Sequence, residues 1–290
     1  MGMRTIGMVL AAPLLAFGLT ACGSDDGGET EANTDAKFKS GTTMAKLNEA
    51  GKVTIGIKID QPGIGFMDPA TQEPEGFDVE MGKYVAAELG IEEDDIEFKE
   101  TVSDNREPFL QKGTVDLVLA SYSIVPERRA IVGQAGPYYV TGQQLLVREE
   151  DKNKIKGPED AKGIKVCSAE GSTSIETIEK EYGATPVPFA TYTECVQQLK
   201  SGAVDAVTTD GAILLGYEAD APDELQVVGP EFSEERYGIG FKKGDDAMCT
   251  FLQDTIEKSY EDGTWEQAFE DTLGKSGVKT PEPPKVDANC

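Results

Sequence analysis

Segments with the pattern of β-strands alternate with segments of helical pattern along most of this chain, and this alternation restricts the fold more than any other feature. Residues 53–57 alternate between the two faces of a strand with a period of two. Further along, Phe77, Met81, Val85 and Leu89 recur every fourth position, as on one face of a helix. Strands that alternate with helices predict an α/β fold, with mainly parallel sheets flanked by helices.

The alternation occurs in two runs. It is interrupted at residues 143–163, which are rich in Lys and Glu, and again at residues 229–237. We therefore expect one lobe to be discontinuous: residues 37–142 and 238–290 form lobe one, residues 143–237 form lobe two, and two connecting segments act as the hinge. Ligands of such sheets bind beyond the carboxyl ends of the strands, so the cleft between the lobes is the expected pocket.

The N-terminus differs from the rest of the chain. Arg4 is the only charged residue among the first 24, and an apolar stretch covers residues 6–21. These features, with small residues at the end, are typical of a secretory signal peptide, predicted here as residues 1–22. Residues 19–22 read Leu-Thr-Ala-Cys and resemble the lipobox of bacterial lipoproteins. The resemblance implies acylation of Cys22 and anchoring to the outer face of the cell membrane. An ordinary cleaved signal remains the alternative.

Residues 23–36 contain no large apolar side chain and are expected to form a flexible tether. The whole chain carries 53 acidic and 27 basic residues, a net charge of −26. Nucleic acid is not an expected partner, because binding phosphates requires a basic surface.

The cysteines point to disulfides rather than to a metal site. With Cys22 assigned to lipid, four cysteines remain, and they allow three pairings. We favour Cys167–Cys195 and Cys249–Cys290, since each pair would join neighbouring pieces of one lobe; free buried thiols are the alternative. The chain has no His and no metal-binding Cys spacing. Neither a metal nor any other cofactor is expected.

Five segments carry a resemblance to a known family. In this order along the chain, they resemble the polar amino-acid solute-binding proteins of ABC transporters, and most of all the glutamate-binding lipoproteins of bacteria. The resemblance covers roughly residues 50 to 272. The five segments are residues 76–90, 105–132, 167–178, 199–214 and 237–245.

The resemblance implies a two-lobed periplasmic-binding-protein-like fold that closes over one amino acid. It also implies delivery of that amino acid to the permease and ATPase of an ABC importer, by a monomeric protein that is not an enzyme. A dehydratase on the same fold is the remote alternative. Such an enzyme needs a positioned general acid or base, and the sequence displays no His and no nucleophile with an adjacent base.

The segment at residues 121–128 matches the loop that binds carboxylate in this family. By this resemblance Arg128 clamps the α-carboxylate of the ligand, while Ser121 and Ser123 contribute groups around the α-amino and α-carboxylate groups. The planar fork of an arginine suits this task, because it donates two parallel hydrogen bonds to a carboxylate.

Lobe two is expected to contribute the other half of the site. Thr173, with Ser172, lies where a strand leads into a helix, and helix N-termini favour anions. The resemblance assigns both residues to the α-carboxylate and Asp210 to the α-ammonium. Helix capping is the simpler role for each of these side chains.

The distal end of the pocket decides the substrate. By resemblance, Lys58 and Arg106 face the side chain of the ligand, where two cations attract a second carboxylate and repel lysine or arginine. We therefore predict glutamate, with aspartate, glutamine or another ligand such as a dicarboxylate as alternatives. Tyr192 falls near the position at which glutamate/aspartate binders carry a His, and this difference leaves the choice among the three amino acids open.

Overall fold

The structure is a computed structural model that describes Gly2 and residues 31–290. Cys22, the rest of the expected signal peptide and residues 23–30 of the expected tether lie outside the described residues. Within the described ranges, every helix is too short or too polar to cross a membrane.

Nine helices and thirteen strands are defined within the described residues. The helices are α1 (Thr43–Ala50), α2 (Phe77–Glu88), α3 (Arg106–Lys112), α4 (Pro126–Arg129), α5 (Thr173–Lys180), α6 (Tyr192–Lys200), α7 (Gly211–Asp220), α8 (Asp246–Asp262) and α9 (Thr264–Asp271). The strands are β1 (Val53–Ile57), β2 (Asp60–Gln61), β3 (Gly65–Met67), β4 (Pro74–Glu75), β5 (Ile96–Glu100), β6 (Leu117–Val118), β7 (Gly133–Thr141), β8 (Gln143–Arg148), β9 (Lys165–Ala169), β10 (Thr185–Phe189), β11 (Ala206–Asp210), β12 (Leu225–Val228) and β13 (Glu235–Phe241).

The strands form two five-stranded sheets, one for each lobe, and a small hairpin sheet of β2, β3 and β4. The order is β5-β1-β6-β13-β7 in lobe one and β10-β9-β11-β8-β12 in lobe two. In each sheet four strands run in one direction, and a single strand, β13 or β8, runs against its neighbours. The predicted two-lobed α/β fold with mainly parallel sheets is confirmed.

The two reversed strands are those by which the chain enters a lobe from the other one. The chain crosses from β7 to β8 and returns from β12 to β13. Strands β8 and β13 begin at the cleft and run away from it. The other strands of each sheet run toward the cleft and end there. Because β13 begins at Glu235, residues 235–237 belong to the sheet of lobe one, three residues before the boundary expected from the sequence.

The two crossings pack against each other at Gly142. A Cβ atom at this position would lie 2.5 Å from the carbonyl oxygen of Ser233 on the other crossing. The backbone N–H of Phe232 donates to the carbonyl of Gln143 at 2.9 Å. Only glycine allows this approach, so Gly142 keeps the two connecting segments side by side as a two-segment hinge.

The C-terminal helices belong to lobe one because they share its aromatic core. The ring of Phe77 lies 5.5–6.0 Å from the rings of Tyr138, Tyr139, Trp265 and Phe269. The indole N–H of Trp265 also donates to the carbonyl of Tyr138 at 2.7 Å, which fixes α9 on β7. Each aromatic contact stabilises the fold by about 0.5–1.5 kcal/mol beyond the area that it buries.

Each lobe contains one disulfide, and the two disulfides have the pairing favoured above. Cys167–Cys195 joins β9 to α6 in lobe two, and Cys249–Cys290 joins α8 to the C-terminal segment on lobe one. The corresponding Cα–Cα distances are 5.4 Å and 6.0 Å. Closing loops of this size stabilises a protein by roughly 3–4 kcal/mol per disulfide in the chain-entropy description.

The end of the expected tether is attached to lobe one. The backbone N–H of Asn33 donates to the carbonyl of Ala87 at 2.8 Å, and that of Ala36 donates to Asn33 at 3.0 Å. Residues 33–36 therefore form a turn against α2. Composition does not predict this contact, because it is made by the backbone and needs no large side chain.

Candidate functional site

A narrow polar cavity lies between the two lobes. Lobe one contributes the loops that follow β5 and β6 and the start of α3, and lobe two contributes the starts of α5 and α6 and the end of β11. The lining residues are Ser103, Arg106, Ser121, Ser123, Ser172, Thr173, Ser174, Tyr192, Thr209 and Asp210.

A buried carboxylate in lobe one shapes the loop at Ser121. The backbone N–H of Ser121 donates to Asp78 at 2.6 Å, and the hydroxyl of Tyr138 donates to the other carboxylate oxygen at 2.5 Å. Ser121 has a φ of +43°, a value that non-glycine residues rarely adopt. Burial raises the pKa of Asp78 to about 6, against the opposing effect of these hydrogen bonds. Asp78 thus holds a strained loop residue in place beside the cavity.

Arg106 is the first residue of α3, and its side chain is only 2% exposed. Its guanidinium donates to the carbonyl oxygens of Ala120 and Ser121 at 3.1 Å and 3.2 Å. A further N–H crosses the cleft to the carbonyl of Gly171 at 3.2 Å. Burial, and then the charge of Arg128, lowers the pKa of Arg106 to about 10, so it stays cationic at neutral pH. No carboxylate of the described residues lies within 4.0 Å of Arg106.

Lys58 directly follows β1 and is 3% exposed. Its ammonium donates to the hydroxyl of Ser103 at 2.8 Å and, within the described part of the chain, has no carboxylate within 4.0 Å. Burial is the main reason that the pKa of Lys58 falls to about 7, and the charge of Arg106 adds to it. Lys58 and Arg106 therefore donate hydrogen bonds only to neutral groups of the described residues, while the charges of Asp60 and Asp78 act on Lys58 from a distance. Two neighbouring buried basic groups without a directly paired carboxylate favour an anionic group of a ligand.

Arg128 lies beside the cavity in α4 and is not one of its lining residues. Its Nε pairs with Glu107 at 3.1 Å, and its two terminal nitrogens donate to the carbonyls of Ser123 and Gly171 at 2.8 Å and 3.0 Å. A guanidinium has five N–H donors, so two remain after these contacts. The expected contact of Arg128 with the α-carboxylate stays a prediction.

The start of α5 lines the cavity from lobe two. The hydroxyl of Ser172 accepts the backbone N–H of Ile175 at 3.2 Å, which is an N-cap. The hydroxyl of Thr173 donates across the cleft to Glu235 at 3.0 Å. Both residues lie at the cavity, so helix capping by Ser172 and a place in the site are compatible.

Asp210 ends β11 and is 4% exposed. It accepts the hydroxyl hydrogen of Tyr237, from lobe one, at 2.5 Å, and no Lys or Arg of residues 31–290 lies within 4.0 Å of it. Its side chain makes no helix-capping bond. Burial and then the charge of Glu235 raise the pKa of Asp210 to about 8. A buried carboxylate without a cation suits an ammonium group of a ligand.

Tyr192 is the first residue of α6, and its side chain is buried at the cavity. Burial, followed by the charge of Asp210, raises the pKa of Tyr192 to about 12, so the phenol is neutral. The structure thus gathers seven of the nine expected ligand-binding residues around the cavity, with Lys58 behind Ser103 and Arg128 beside Ser123.

Several polar residues of the site were missed by the sequence analysis. Asp78 had a usable signal, since an acidic residue there interrupts the apolar face of a helix. Glu235 had none, because its contact with Thr173 depends on how the second crossing packs. Ser174 and Thr209 adjoin expected residues in the chain, and Ser103 lies three residues before Arg106.

Two α/β lobes, two chain crossings and a polar cavity between the lobes define a two-lobed binding-protein fold. An ancestral arginine-binding protein bound to arginine has this fold, with a TM-score of 0.71 and 35% identity; the match covers 77% of this chain and 98% of that one.

A family model for the bacterial extracellular solute-binding proteins, family 3, matches residues 53–275, and the chain belongs to this family. Glutamate-binding protein GluB of Corynebacterium efficiens is 37% identical over 276 residues, which cover 91% of this chain and 89% of that protein. The ABC transporter glutamine-binding protein GlnH of Bacillus subtilis is 37% identical over 253 residues, with coverages of 87% and 90%.

Proposed function

We propose that this protein captures an acidic amino acid, glutamate in the first place, and delivers it to an ABC importer. One observation carries the choice of ligand. Lys58 and Arg106 are buried beside each other with no carboxylate of the described residues within 4.0 Å, and Asp210 is buried opposite them with no Lys or Arg of those residues within that distance. An amino acid with a second carboxylate supplies an anionic group for Lys58 and Arg106 and an ammonium group for Asp210.

Each charged group of the ligand then has a partner. Asp210 takes the α-ammonium, Arg128 takes the α-carboxylate with its two remaining N–H groups, and Lys58 and Arg106 take the distal carboxylate. Pairing every buried charge is necessary, because an unpaired one is very unfavourable in a low-dielectric site. The residues proposed to complete the site are Ser121, Ser123, Ser172, Thr173 and Tyr192.

Capture works by closure of the lobes about the crossings at Gly142. Arg106 reaches Gly171, Thr173 reaches Glu235, and these bonds join the lobes beside the cavity. A ligand that contacts both walls binds the closed arrangement better than the open one and shifts the equilibrium toward it. The protein performs no chemistry on its ligand in this proposal, which makes it a binding protein rather than a dehydratase.

The proposal places the protein outside the cell. Its signal peptide is removed, Cys22 is acylated, and residues 23–32 tether a monomeric binding domain to the membrane beside the permease and ATPase of the importer. Glutamine is the second candidate ligand, because GlnH, at 37% identity, is a glutamine-binding protein. Aspartate also supplies two carboxylates, on a shorter side chain.

Calorimetric titration of the unacylated chain from Gly23, purified free of bound ligand, tests the proposal. Glutamate is expected to bind one to one and more tightly than glutamine, and arginine is expected not to bind. Preference for glutamine would overturn the assignment of Lys58 and Arg106 to a distal carboxylate. Absence of binding by all amino acids, or turnover of a cyclic acid substrate, would overturn the proposed function.

Replacing Lys58 by methionine is expected to weaken glutamate binding about 10–100-fold, because losing one partner of a buried charge pair costs roughly 2–5 kcal/mol and Arg106 keeps part of the interaction. Glutamine binding is expected to change by less than about threefold, since its amide is neutral. Titrations of both ligands measure the ratio. Equal losses for the two ligands would contradict a role of Lys58 at the distal carboxylate. Lys99→Met, on the neighbouring strand β5, is the matched control.

Glutamate affinity is expected to depend on pH with a plateau between about pH 7 and 8. Below the plateau it falls, because Asp210, with a pKa of about 8, is protonated and must release its proton to solvent before it pairs with the ligand's ammonium group. Above the plateau it falls because Lys58, with a pKa of about 7, is neutral and must take up a proton. Titrations from about pH 5 to 9 measure the profile, because the α-ammonium group of the ligand itself loses its proton above this range. Lys58→Met is expected to lose the alkaline fall and to keep the acidic one; the opposite result would reverse the assignment.

A further inference from the structure

We propose that Asp60 and Gly216 form a latch across the cleft that favours the closed arrangement of the lobes and raises the affinity for every ligand of the cavity. This inference rests on the proposed function and extends it to residues that do not line the cavity. The latch consists of Asp60 and Pro62 of lobe one together with Gly216 and Tyr217 of lobe two.

The carboxylate of Asp60 contacts the first turn of a helix in the other lobe. Its Oδ2 accepts the backbone N–H of Tyr192 at 2.7 Å and that of Thr193 at 3.4 Å. These N–H groups lie at the start of α6, where no intrahelical partner exists and the helix dipole favours a negative charge. Thr191 and Glu194 satisfy other groups of this helix end, so Asp60 adds a bond from lobe one to a helix already capped by its own residues.

A second contact places the backbone of Asp60, in strand β2, against α7. The hydroxyl of Tyr217 donates to the carbonyl oxygen of Asp60 and lies 3.0 Å from the hydroxyl of Thr193. Asp60 therefore contacts two helices of lobe two, α6 through its carboxylate and α7 through its backbone carbonyl. Strand β2, which begins at Asp60, is joined to lobe one through β1 and β3.

Gly216 makes this approach possible. A Cβ atom at Gly216 would lie 2.5 Å from the carbonyl oxygen of Pro62, a separation that requires the backbone of one lobe to shift. Glycine inside a helix is unfavourable relative to alanine, so its place in α7 serves the approach of the other lobe rather than the helix.

The latch contacts exist only while the lobes are together. Asp60, Pro62, Gly216 and Tyr217 do not line the cavity, and none of them is assigned a contact with the ligand in the proposed function. Rotation of the lobes about Gly142 would separate all of these groups. Since the apparent dissociation constant is the intrinsic one divided by the fraction of competent protein, a weaker latch lowers the affinity for all ligands by the same factor.

Gly216→Ala gives the sharpest test, because it is expected to stabilise helix α7 while it hinders closure of the lobes. Alanine favours helix α7 on its own, yet its methyl group obstructs Pro62. We expect the unliganded variant to melt at or above the temperature of the wild type. Glutamate and glutamine affinities are each expected to fall about 10-fold or more, by equal factors and mainly through faster dissociation. The unliganded radius of gyration from small-angle X-ray scattering is expected to increase.

Asp60→Asn removes the charge and keeps an acceptor, so glutamine affinity is expected to fall about 3–10-fold. Glutamate affinity is expected to fall by at least as much, because the charge of Asp60 also opposes the fall in the pKa of Lys58. Equal factors for the two ligands are therefore expected only of Gly216→Ala. Gly82→Ala is the matched control for glycine: it also lies within a helix, and an added Cβ comes no closer than 3.4 Å to a neighbour. Asp223→Asn is the control for charge, at an exposed position. Neither control is expected to change affinity or scattering.

Unchanged affinity and scattering in Gly216→Ala would overturn the latch, as would a change in the ratio of the two affinities in that variant. A wild type that binds no amino acid would overturn the proposed function instead. The scattering comparison then still decides whether Gly216 and Asp60 favour closure, because it requires no ligand.

Discussion

Replacing Asp210 by asparagine is expected to abolish measurable binding of α-amino acids and, at the same time, to stabilise the unliganded protein. The loss of affinity is expected to reach at least about 100-fold, because truncating one partner of a buried charge pair costs roughly 2–5 kcal/mol. Glutamate, aspartate and glutamine should be affected alike, since the ammonium group is common to all three. Calorimetric titration of each ligand measures the loss.

The gain in stability follows from the pKa of Asp210, which burial and Glu235 raise from 3.8 to about 8. Between these pH values the folded protein holds a proton at Asp210 that the unfolded chain has released. The free energy of unfolding therefore falls as the pH rises from about 4 to 8, and the carboxylate is least favourable above pH 8.

Asparagine removes this unfavourable charge and can still accept the hydroxyl hydrogen of Tyr237. We expect Asp210→Asn to raise the free energy of unfolding by roughly 1–3 kcal/mol at pH 8.5 and by little at pH 5, where Asp210 is already protonated. Urea denaturation at the two pH values measures the difference, with Asp223→Asn as an exposed control. A variant that is less stable at pH 8.5 would contradict an unpaired, buried carboxylate; retained binding would remove Asp210 from the ammonium site.

Replacing Arg106 by glutamine is expected to reduce glutamate affinity by about 100–1000-fold and to change the choice of ligand. The guanidinium is a buried cation without a carboxylate partner, so its removal deletes the attraction for a distal carboxylate. Glutamine, which is neutral at that end, should lose no more than about 10-fold. The ratio of the two dissociation constants is the decisive quantity, because a general loosening of the site would lower both affinities together.

Part of the effect of Arg106→Gln is structural. Arg106 donates to the carbonyls of Ser103, Ala120 and Ser121 in its own lobe, and leaving them unsatisfied is expected to destabilise the fold by roughly 1–3 kcal/mol. Arg148→Gln is the control: Arg148 likewise donates to backbone carbonyls, those of Leu199 and Val204, yet it pairs with Asp151 at 2.6 Å and lies away from the cavity. The control should lower stability without changing affinity.

Arg106→Lys completes the series. Lysine keeps the charge but not the planar fork, so preference for glutamate over glutamine should survive at lower affinity. If Arg106→Gln and Arg148→Gln behaved alike, Arg106 would be a structural arginine and the distal group of the ligand would be bound elsewhere.

The fold was largely predictable because its signals are local. Apolar periodicity predicts many of the strands and helices, and the two interruptions of that pattern lie at the two crossings between lobes. The interruptions nevertheless contain strand β8 and the start of β13, which the pattern does not predict. The pairing Cys167–Cys195 could be favoured for the same reason, since both residues lie within one run of strands and helices. The exact start of β13 was not predictable, because the strand continues from the crossing without a break in the sequence.

The sequence also determined which residue types meet at the cleft, since strand ends such as Lys58 and Asp210 face it in any fold of this topology. Only the tertiary structure decided their electrostatic state: Lys58 and Arg106 lack a carboxylate, while Arg128 is paired with Glu107. It alone also brought Asp60 to the start of α6, 132 residues away in the chain. Such contacts join backbone groups and side chains that are distant in sequence, and the packing of the two lobes, which local pattern does not encode, sets their distances.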